Sequence, residues 1–213
     1  KKAKEDYSQG NYRWVAQVTS KVVFADPKNQ QAKNLEADAL EQLGYQPKII
    51  STGRVWFCGT TRDVARANVR LRAADRVLVR VANFPADNFD ALFDRTKDLP
   101  WETWIPRDGA FLVNGRSVKS QLSSVPACQR TVKKAIVERL MRGHQARELP
   151  ETGVRTIIEV AILENVASIT LDTSGDGLHK RGYRDIVGDA ALKETMAAGL
   201  VLLSVWNADR PLV

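Results

Sequence analysis

Basic residues gather in one stretch of the chain, from Arg116 to Arg147, and their chemistry is that of phosphate binding. The stretch holds eight lysines and arginines against one acid, Glu138, so its excess of seven positive charges equals the net charge of +7 of the whole chain. Ammonium and guanidinium groups form charge-assisted hydrogen bonds with phosphate oxygens. A phosphate-contacting surface is therefore expected here first, and its candidate residues are Arg116, Lys119, Arg130, Lys133 and Lys134.

A helix is predicted to carry most of this basic stretch. Ser123 or Ser124 can cap its beginning, and Pro126 suits its first turn because the missing N–H has no helical partner there. At 100° per residue, cations fall opposite an apolar face made of Cys128, Val132, Ala135, Ile136 and Leu140. The pattern fits an ordinary amphipathic helix with solvated charges as well as a helix that contacts phosphates.

A second basic cluster lies in the segment SGDGLHKRGYRD, residues 174–185. Lys180, Arg181 and Arg184 surround Tyr183 there. Cations beside an exposed aromatic ring suit RNA, whose bases stack on rings while its phosphates bind the cations. A surface turn with ordinary solvated charges explains the same residues equally well.

The composition is that of a soluble globular protein with 213 residues, 44% of them hydrophobic and 27% charged. A pI of 9.5 favours nucleic acid or an acidic surface as partner. Cys58 and Cys128 are single, widely spaced thiols, which predicts neither a disulfide framework nor a zinc site and fits a reducing cytoplasm. The longest apolar run, residues 197–205, is too short to span a membrane. The chain begins at Lys1 rather than Met, as expected of a fragment or a processed protein.

The first 46 residues are predicted to be helical. Gly10 and Gly44 stand 34 residues apart, which is the period of a tetratricopeptide-like helix pair. The predicted helices are Ala3–Gln9, Tyr12–Ala25 and Gln31–Leu43. Fewer than two repeats cannot bury their own apolar faces, so this segment should need a partner.

The remaining elements alternate between strands and helices, which predicts an α+β fold with a mixed or antiparallel sheet. Predicted strands are Lys48–Ser51, Arg54–Gly59, Arg76–Asn83, Ala110–Asn114, Arg155–Leu163 and Ala167–Asp172. Thr52-Gly53 and Glu164-Asn165 form the two hairpin turns. Further helices are predicted at Thr61–Ala74, Asn88–Lys97 (with Phe89, Leu92 and Phe93 inward) and Ala190–Val205.

From about residue 48 onward the chain resembles the N-terminal part of bacterial THUMP-containing 23S rRNA guanine-N2 methyltransferases. The matching stretches include RANVRLRAADRVLV (66–79), RSVKSQLSSVPACQRTVKKAIVERL (116–140), TLDTSGDGLHKRGYRD (170–185) and LKETMAAGLVLLSVW (192–206). The resemblance implies a partial ferredoxin-like piece at 47–75 and a THUMP-like domain at 76–175. Residues 176–213 would be a basic linker and first helix before the methyltransferase core. The implied partner is structured RNA, 23S rRNA in particular.

Two motifs of that family are not found in the sequence: the glycine-rich turn for S-adenosylmethionine and the Asn-Pro-Pro-Tyr catalytic motif. The chain is therefore predicted to be an RNA-binding recognition module without its catalytic domain, and not an enzyme. S-adenosylmethionine is implied only for the full-length family, and no cofactor, metal or catalytic residue is assigned. The predicted RNA-binding residues are Arg116, Lys119, Arg130, Lys133, Lys134, Lys180, Arg181 and Arg184.

Residues 1–46 resemble another family, the helical dimerisation region of metallo-β-lactamase-like alkyl sulfatases. The matching stretches are GNYRWVAQVTSKVVFADPKN (10–29) and LEADALEQLGYQ (35–46), without a zinc-binding motif. The resemblance implies a homodimer and an alternative function as a dimerisation fragment with an incidental basic face. An apparent chimera is inferred, with the junction near residues 35–47. Residues 21–25 are predicted to be helical, which would leave the ferredoxin-like sheet without one strand and with an exposed edge.

Overall fold

The computed structural model describes residues 14–19, 30–51, 53–182, 184, 191–204, 206–207 and 209. The chain forms two compact units, of which the first is Lys1–Val79 with Asp176–Val213 and the second is Arg80–Gly175. The finer division expected from the sequence, into 1–46, 47–75, 76–175 and 176–213, stays a prediction.

Seven strands and five helices are found in the described residues. The strands are β1 (Trp14–Thr19), β2 (Lys48–Ser51), β3 (Arg54–Gly59), β4 (Arg76–Pro85), β5 (Ala110–Val118), β6 (Arg155–Leu163) and β7 (Val166–Asp172). The helices are α1 (Gln30–Gln42), α2 (Thr61–Arg70), α3 (Phe89–Lys97), α4 (Val125–Gly143) and α5 (Glu194–Leu203). None of these helices is long and apolar enough to cross a membrane.

The sheet of the first unit has the strand order β2-β3-β1-β4, and β4 continues into the second unit. β1 runs antiparallel to β3, with Ala16 opposite Phe57 and Val18 opposite Val55. All four of these side chains are buried. β2 and β3 form the predicted hairpin within its predicted bounds.

The strand β1 contradicts the helix predicted over Tyr12–Ala25. Val15 and Val18 fit a helical spacing, but Ala16 and Val18 fit the two-residue alternation of a strand, and pairing with β3 decides between them. β1 lies between β3 and β4, so the expected sheet with a missing strand and an exposed edge at that place is also wrong. A tetratricopeptide-like helix pair is not seen in the described residues. The predicted helix Ala3–Gln9 and residues 21–25 lie outside them.

The second unit contains β5, β6 and β7 beside residues 80–85 of β4, in the order β4-β7-β6-β5. β5 is parallel to β6, and β6 is antiparallel to β7, so the sheet is mixed and the predicted α+β class is confirmed. The hairpin β6–β7 turns at Glu164-Asn165, whose φ angles of 50° and 63° are those of a type I′ turn. α3 and α4 contribute their apolar side chains to the core on one face of the sheet.

The predicted core face of α4 is confirmed in full. Ser124 is the N-cap residue, Pro126 lies in the first turn, and the buried residues are the expected Cys128, Val132, Ala135, Ile136 and Leu140. The prediction for α3 is partly wrong, because Leu92 is fully buried while the Phe89 side chain is 39% exposed. Phe89 is the first residue of its helix.

Candidate nucleic-acid interface

The exposed side of α4 presents Arg130, Lys133 and Lys134 to solvent. The Lys133 ammonium lies 5.7 Å from the centre of the Phe111 ring on β5. The Lys134 ammonium lies 5.5 Å from the centre of the Phe93 ring on α3. The ammonium groups of these two consecutive lysines therefore lie near aromatic rings of two different elements, and both side chains stay exposed to a ligand.

Glu138 is the acid of the basic stretch, and a lysine of another helix pairs with it. Lys97 Nζ on α3 lies 2.5 Å from Glu138 Oε2, whereas Lys134 Nζ lies 4.0 Å from Oε1. The hydrogen bond from Lys97, with the charges of Lys97 and Lys134, holds the pKa of Glu138 below its ordinary value. Lys134 keeps 72% of its side chain exposed. The negative charge on α4 is thus paired chiefly with Lys97, which leaves Lys134 largely accessible.

Arg139 belongs to the same helix but has an internal role. Its Nε and Nη2 atoms donate to the two carboxylate oxygens of Glu102 at 2.9 and 2.5 Å. Both side chains are about three quarters buried. The hydrogen bond from Arg139 lowers the pKa of Glu102, and the same bond raises the pKa of Arg139. This two-pronged ion pair fixes α4 to the short 3-10 helix Trp101–Thr103.

Arg116 lies on the other side of the sheet from α4. A Cβ atom on the neighbouring Gly115 would stand 2.9 Å from Gln129 Cγ and 3.2 Å from Val125 Cγ1, so Gly115 faces α4 at close range. Side chains alternate along a strand, and the exposed Arg116 therefore points away from that helix. The structure does not bring Arg116 together with the exposed cations of α4.

Lys119 begins the loop between β5 and α4 and is exposed. Its φ of 50° is left-handed, a conformation that costs a residue with a Cβ atom about 1–2 kcal/mol. Asn165 Oδ1 holds the following residues, because it accepts the Ser120 hydroxyl at 3.0 Å and the Gln121 N–H at 2.8 Å. The sequence located Asn165 correctly in a turn but gave no sign of this second role.

The second basic cluster belongs to the first unit, and its arginines make contacts inside that unit. Arg181 Nη1 donates to the carbonyls of Asn68 and Val69 at 3.2 Å, and its Nη2 donates to the Leu71 carbonyl. These carbonyls end α2, where helical partners run out. Arg184 Nη2 donates to the Leu192 carbonyl at 2.8 Å, and its Nε lies 3.2 Å from Glu194 Oε1.

Lys180 differs from these two arginines. Its side chain is 62% exposed and its Nζ lies 3.8 Å from the exposed carboxylate of Asp176. Tyr183, the aromatic residue of the predicted cluster, lies outside the described residues. The described part of the chain contains no group of three or more His, Cys, Asp or Glu side chains that could hold a metal ion.

Comparison with known families identifies the second unit most clearly. Residues 86–172 match the THUMP domain. Residues 1–64 match the alkyl sulfatase dimerisation family. The resemblance of the chain to THUMP-containing methyltransferases is thus confirmed, and so is the resemblance of its beginning to the sulfatase family.

Relatives match over most of the chain. The protein of Bacillus subtilis (strain 168) named "Putative RNA methyltransferase YpsC" is 50% identical over 179 residues, which are 83% of this chain and 46% of that protein. A solved structure of a "predicted N6-adenine-specific DNA methylase" from Listeria monocytogenes str. 4b F2365 is 46% identical with a TM-score of 0.84, over 97% of this chain and 52% of its own. SMU.472, "a putative methyltransferase complexed with SAH", is 35% identical with a TM-score of 0.82, over 93% and 51%.

These relatives correct two predictions from the sequence. The chain spans about half the length of the relatives it matches, and those relatives are named as methyltransferases. The predictions of a module that lacks its catalytic domain, and of a protein that is not an enzyme, are therefore wrong, because they rested on motifs sought only within this sequence. The alternative of a dimerisation fragment is not favoured by these relatives either.

Proposed function

We propose that the protein is an RNA methyltransferase that uses S-adenosylmethionine, and that the exposed cations of its THUMP-like unit contact the phosphates of structured RNA. One observation carries the proposal: α4, inside the THUMP match, presents Arg130, Lys133 and Lys134 to solvent while Lys97 pairs with its nearby acid. The relatives' names support methyl transfer. They differ on RNA or DNA as substrate, and the THUMP match favours RNA.

Arg116 and Lys119 of the same unit, and Lys180 of the first unit, complete the proposed contact residues, since all three are exposed. For Arg181 and Arg184, direct contact with RNA stays a prediction, because their guanidinium groups already have partners inside the first unit. We propose that these two arginines hold the loop that presents Lys180.

The cofactor is inferred from the relatives, and the described residues do not form a site that fits it. Gly175, Asp176 and Gly177 are the glycine-rich candidate, but they follow β7 and continue into a loop rather than opening a helix. A nucleotide-binding turn would need a strand before it and a helix after it. No step of the proposal therefore involves S-adenosylmethionine held by these residues. Methyl transfer is tested by incubating the protein with S-adenosylmethionine and structured RNA.

The main test is equilibrium binding of the 213-residue chain to a structured 23S rRNA fragment and to a DNA duplex, over a range of salt concentrations. RNA-preferring binding that weakens with salt is expected, because phosphate contacts release counterions. Lys133→Glu/Lys134→Glu should weaken binding at least about tenfold and lower the salt slope by about 1.5, as the loss of two contacts predicts.

The matched control is Arg107→Glu/Arg155→Glu, which makes the same change of charge at exposed positions of the same unit. Arg107 precedes β5 and Arg155 is the first residue of β6, so the control changes the charge of the same unit outside α4. The control should lower the affinity much less. Equal losses in both variants would reject α4 as the contact surface, and unchanged affinity in the α4 variant would reject it outright.

Finer parts of the function are also proposals. We propose 23S rRNA as the substrate and the guanine N2 atom as the methylated position, on the resemblance of residues 48–213. Incubation of the protein with S-adenosylmethionine and separated rRNAs, followed by nucleoside analysis, would identify both. We further propose a cytoplasmic location, in keeping with the free thiols of Cys58 and Cys128.

A homodimer through residues 1–46 is a proposal supported by the match to the alkyl sulfatase dimerisation family. Deleting those residues would also remove β1 from its sheet, so sedimentation of the complete chain over a concentration range is the better test. We also propose that two unrelated sequences join near residues 35–47. Cleavage at arginine releases one peptide, residues 14–54, that spans the junction. Its detection in the source cells would show the junction to be natural.

A further inference from the structure

Asn165 connects three segments of the second unit at the β6–β7 turn. Its carbonyl accepts the N–H of Ala86, just beyond β4, at 2.7 Å. Its side-chain Oδ1 accepts the Ser120 hydroxyl at 3.0 Å and the Gln121 N–H at 2.8 Å. The N–H of the preceding Glu164 donates to the Val118 carbonyl, the last of β5, at 3.2 Å. The turn is thereby bonded to the loop that leads into α4.

That loop is fixed at its other end by the core. Ser120 Oγ accepts the N–H of Leu122 at 3.3 Å. Leu122 is buried, and its carbonyl accepts the thiol of the buried Cys128 at 3.7 Å. Lys119, which is exposed and has a left-handed φ, lies between the end of β5 and these two anchors, the bonds to Asn165 and the buried Leu122. The position of Lys119 relative to the first turn of α4 therefore depends on the bonds to Asn165.

The turn itself does not require the carboxamide of Asn165. A left-handed φ of 63° is available to asparagine and more easily to glycine, and either residue suits a type I′ turn. The carboxamide is the part that reaches Ser120 and Gln121. A glycine at this position would keep the hairpin and lose the connection to the loop, which separates the two roles of the residue.

We propose that Asn165 is a positioning residue for RNA binding: it holds the 119–124 loop so that Lys119 and the beginning of α4 meet the RNA backbone together. This inference rests on the proposed function, since Lys119 is one of its contact residues. Asn165 itself need not touch the RNA.

The test compares Asn165→Gly, Lys119→Ala and the double variant in the 213-residue chain, with the structured 23S rRNA fragment as ligand. Asn165→Gly should weaken binding about three- to tenfold and lower the salt slope by about one, as the loss of one phosphate contact predicts. The double variant should bind no more weakly than Lys119→Ala, because the two changes act on the same contact. Hydrogen exchange of the Gln121 amide should accelerate in Asn165→Gly and stay slow in Asn165→Asp, which keeps an oxygen acceptor.

Several outcomes would overturn the inference. Unchanged RNA affinity in Asn165→Gly would remove its role in binding even if the Gln121 amide exchanges faster. Additive losses in the double variant would show that Asn165 acts elsewhere. If Asn165→Gly fails to fold, Ser120→Ala takes its place, since it deletes one of the two bonds and keeps the turn. Absence of binding by the unsubstituted chain would instead reject the proposed function, and the role of Asn165 with it.

Discussion

The helix α4 and the loop at residues 180–184 are both rich in basic residues, yet their cations are placed differently. On α4, Arg130, Lys133 and Lys134 are exposed. In the loop, the Arg181 guanidinium binds the last carbonyls of α2, and Arg184 pairs with Glu194. Similar clusters of basic residues thus form a solvent-exposed surface in the second unit and internal contacts in the first.

The chemistry of the two basic side chains explains part of this difference. A planar guanidinium with five donors can bind several carbonyls or both oxygens of a carboxylate, whereas an ammonium is a compact and strongly hydrated charge. Arg181 and Arg139 make such multiple contacts, while Lys133, Lys134 and Lys180 remain exposed. The type of side chain does not decide alone, because Arg130 is also exposed and Lys97 pairs with Glu138. Partners of each cation, rather than the number of cations, therefore indicate which region can bind phosphate.

The largest expected effect distinguishes Arg181, which binds inside the first unit, from Lys180, which is proposed to contact RNA. Arg181→Ala removes three hydrogen bonds to carbonyls at the end of α2 and should lower the free energy of unfolding by about 2–3 kcal/mol. Denaturant titration of the purified chain measures this change. Lys180→Ala, the neighbouring control, should stay within about 0.5 kcal/mol of the unsubstituted protein.

RNA affinity of the same two variants completes the comparison. At temperatures where both are folded, Lys180→Ala should bind RNA more weakly, and Arg181→Ala should lose no more affinity than Lys180→Ala, because Arg181 acts only through the loop that presents Lys180. Arg181→Lys keeps the charge but not the planar fork, so its stability should fall almost as far as that of Arg181→Ala. A stable Arg181→Ala variant with strongly reduced RNA affinity would mean that Arg181 contacts RNA directly, as the sequence predicts.

The second largest effect is a loss of about 1 kcal/mol in the free energy of unfolding at neutral pH, expected when the ion pair of Arg139 on α4 is weakened. Glu102→Gln weakens the bond to Arg139. The bond to Arg139 lowers the pKa of the folded-state Glu102 carboxylate, so its stabilisation is present above the ordinary glutamate pKa of 4.5 and is lost as pH falls through the lower folded value. The stability difference between the two proteins should therefore shrink below about pH 4.5.

Unfolding free energies measured from pH 7 to pH 3 check this prediction. RNA affinity at neutral pH should be nearly unchanged in Glu102→Gln, because Arg139 is held inside the unit. A large change in affinity without a change in stability would place Arg139 among the RNA contacts and remove the distinction between it and Lys134.

Local pattern was enough to predict much of the second unit. The five buried residues of α4 repeat at helical spacing, and the Glu164-Asn165 turn lies between two strands that pair directly. β1 could not be predicted in this way, because its identity depends on pairing with β3, about forty residues further along the chain. A strand chosen by a distant partner leaves only a weak local signal.

The candidate site shows the same limit. Its cations are visible in the sequence, and the exposure of Arg130, Lys133 and Lys134 follows from the helical pattern. The groups inside the protein that bind other basic residues cannot be recognised from the local sequence. Arg139 bonds to Glu102 across 37 residues, and Arg181 bonds to Leu71 across 110. The role of Asn165 was hidden for the same reason, since its side chain binds a loop more than forty residues earlier in the chain.

The smallest expected effect tests whether neutralising an acid near each basic region strengthens binding. Glu138→Gln frees Lys134 and Lys97 from a carboxylate and should raise RNA affinity about twofold, whereas Asp176→Asn beside Lys180 should raise it less. Glu148→Gln, an exposed acid of the second unit outside α4, is the control for net charge. Binding titrations at low salt measure all three variants.

Equal gains in affinity in the three variants would mean that only the net charge of the protein matters. A loss of affinity in Glu138→Gln would mean that the carboxylate positions Lys134 for the RNA rather than competing with the RNA for it. A gain confined to Glu138→Gln would identify α4 as the surface where added positive charge meets phosphate.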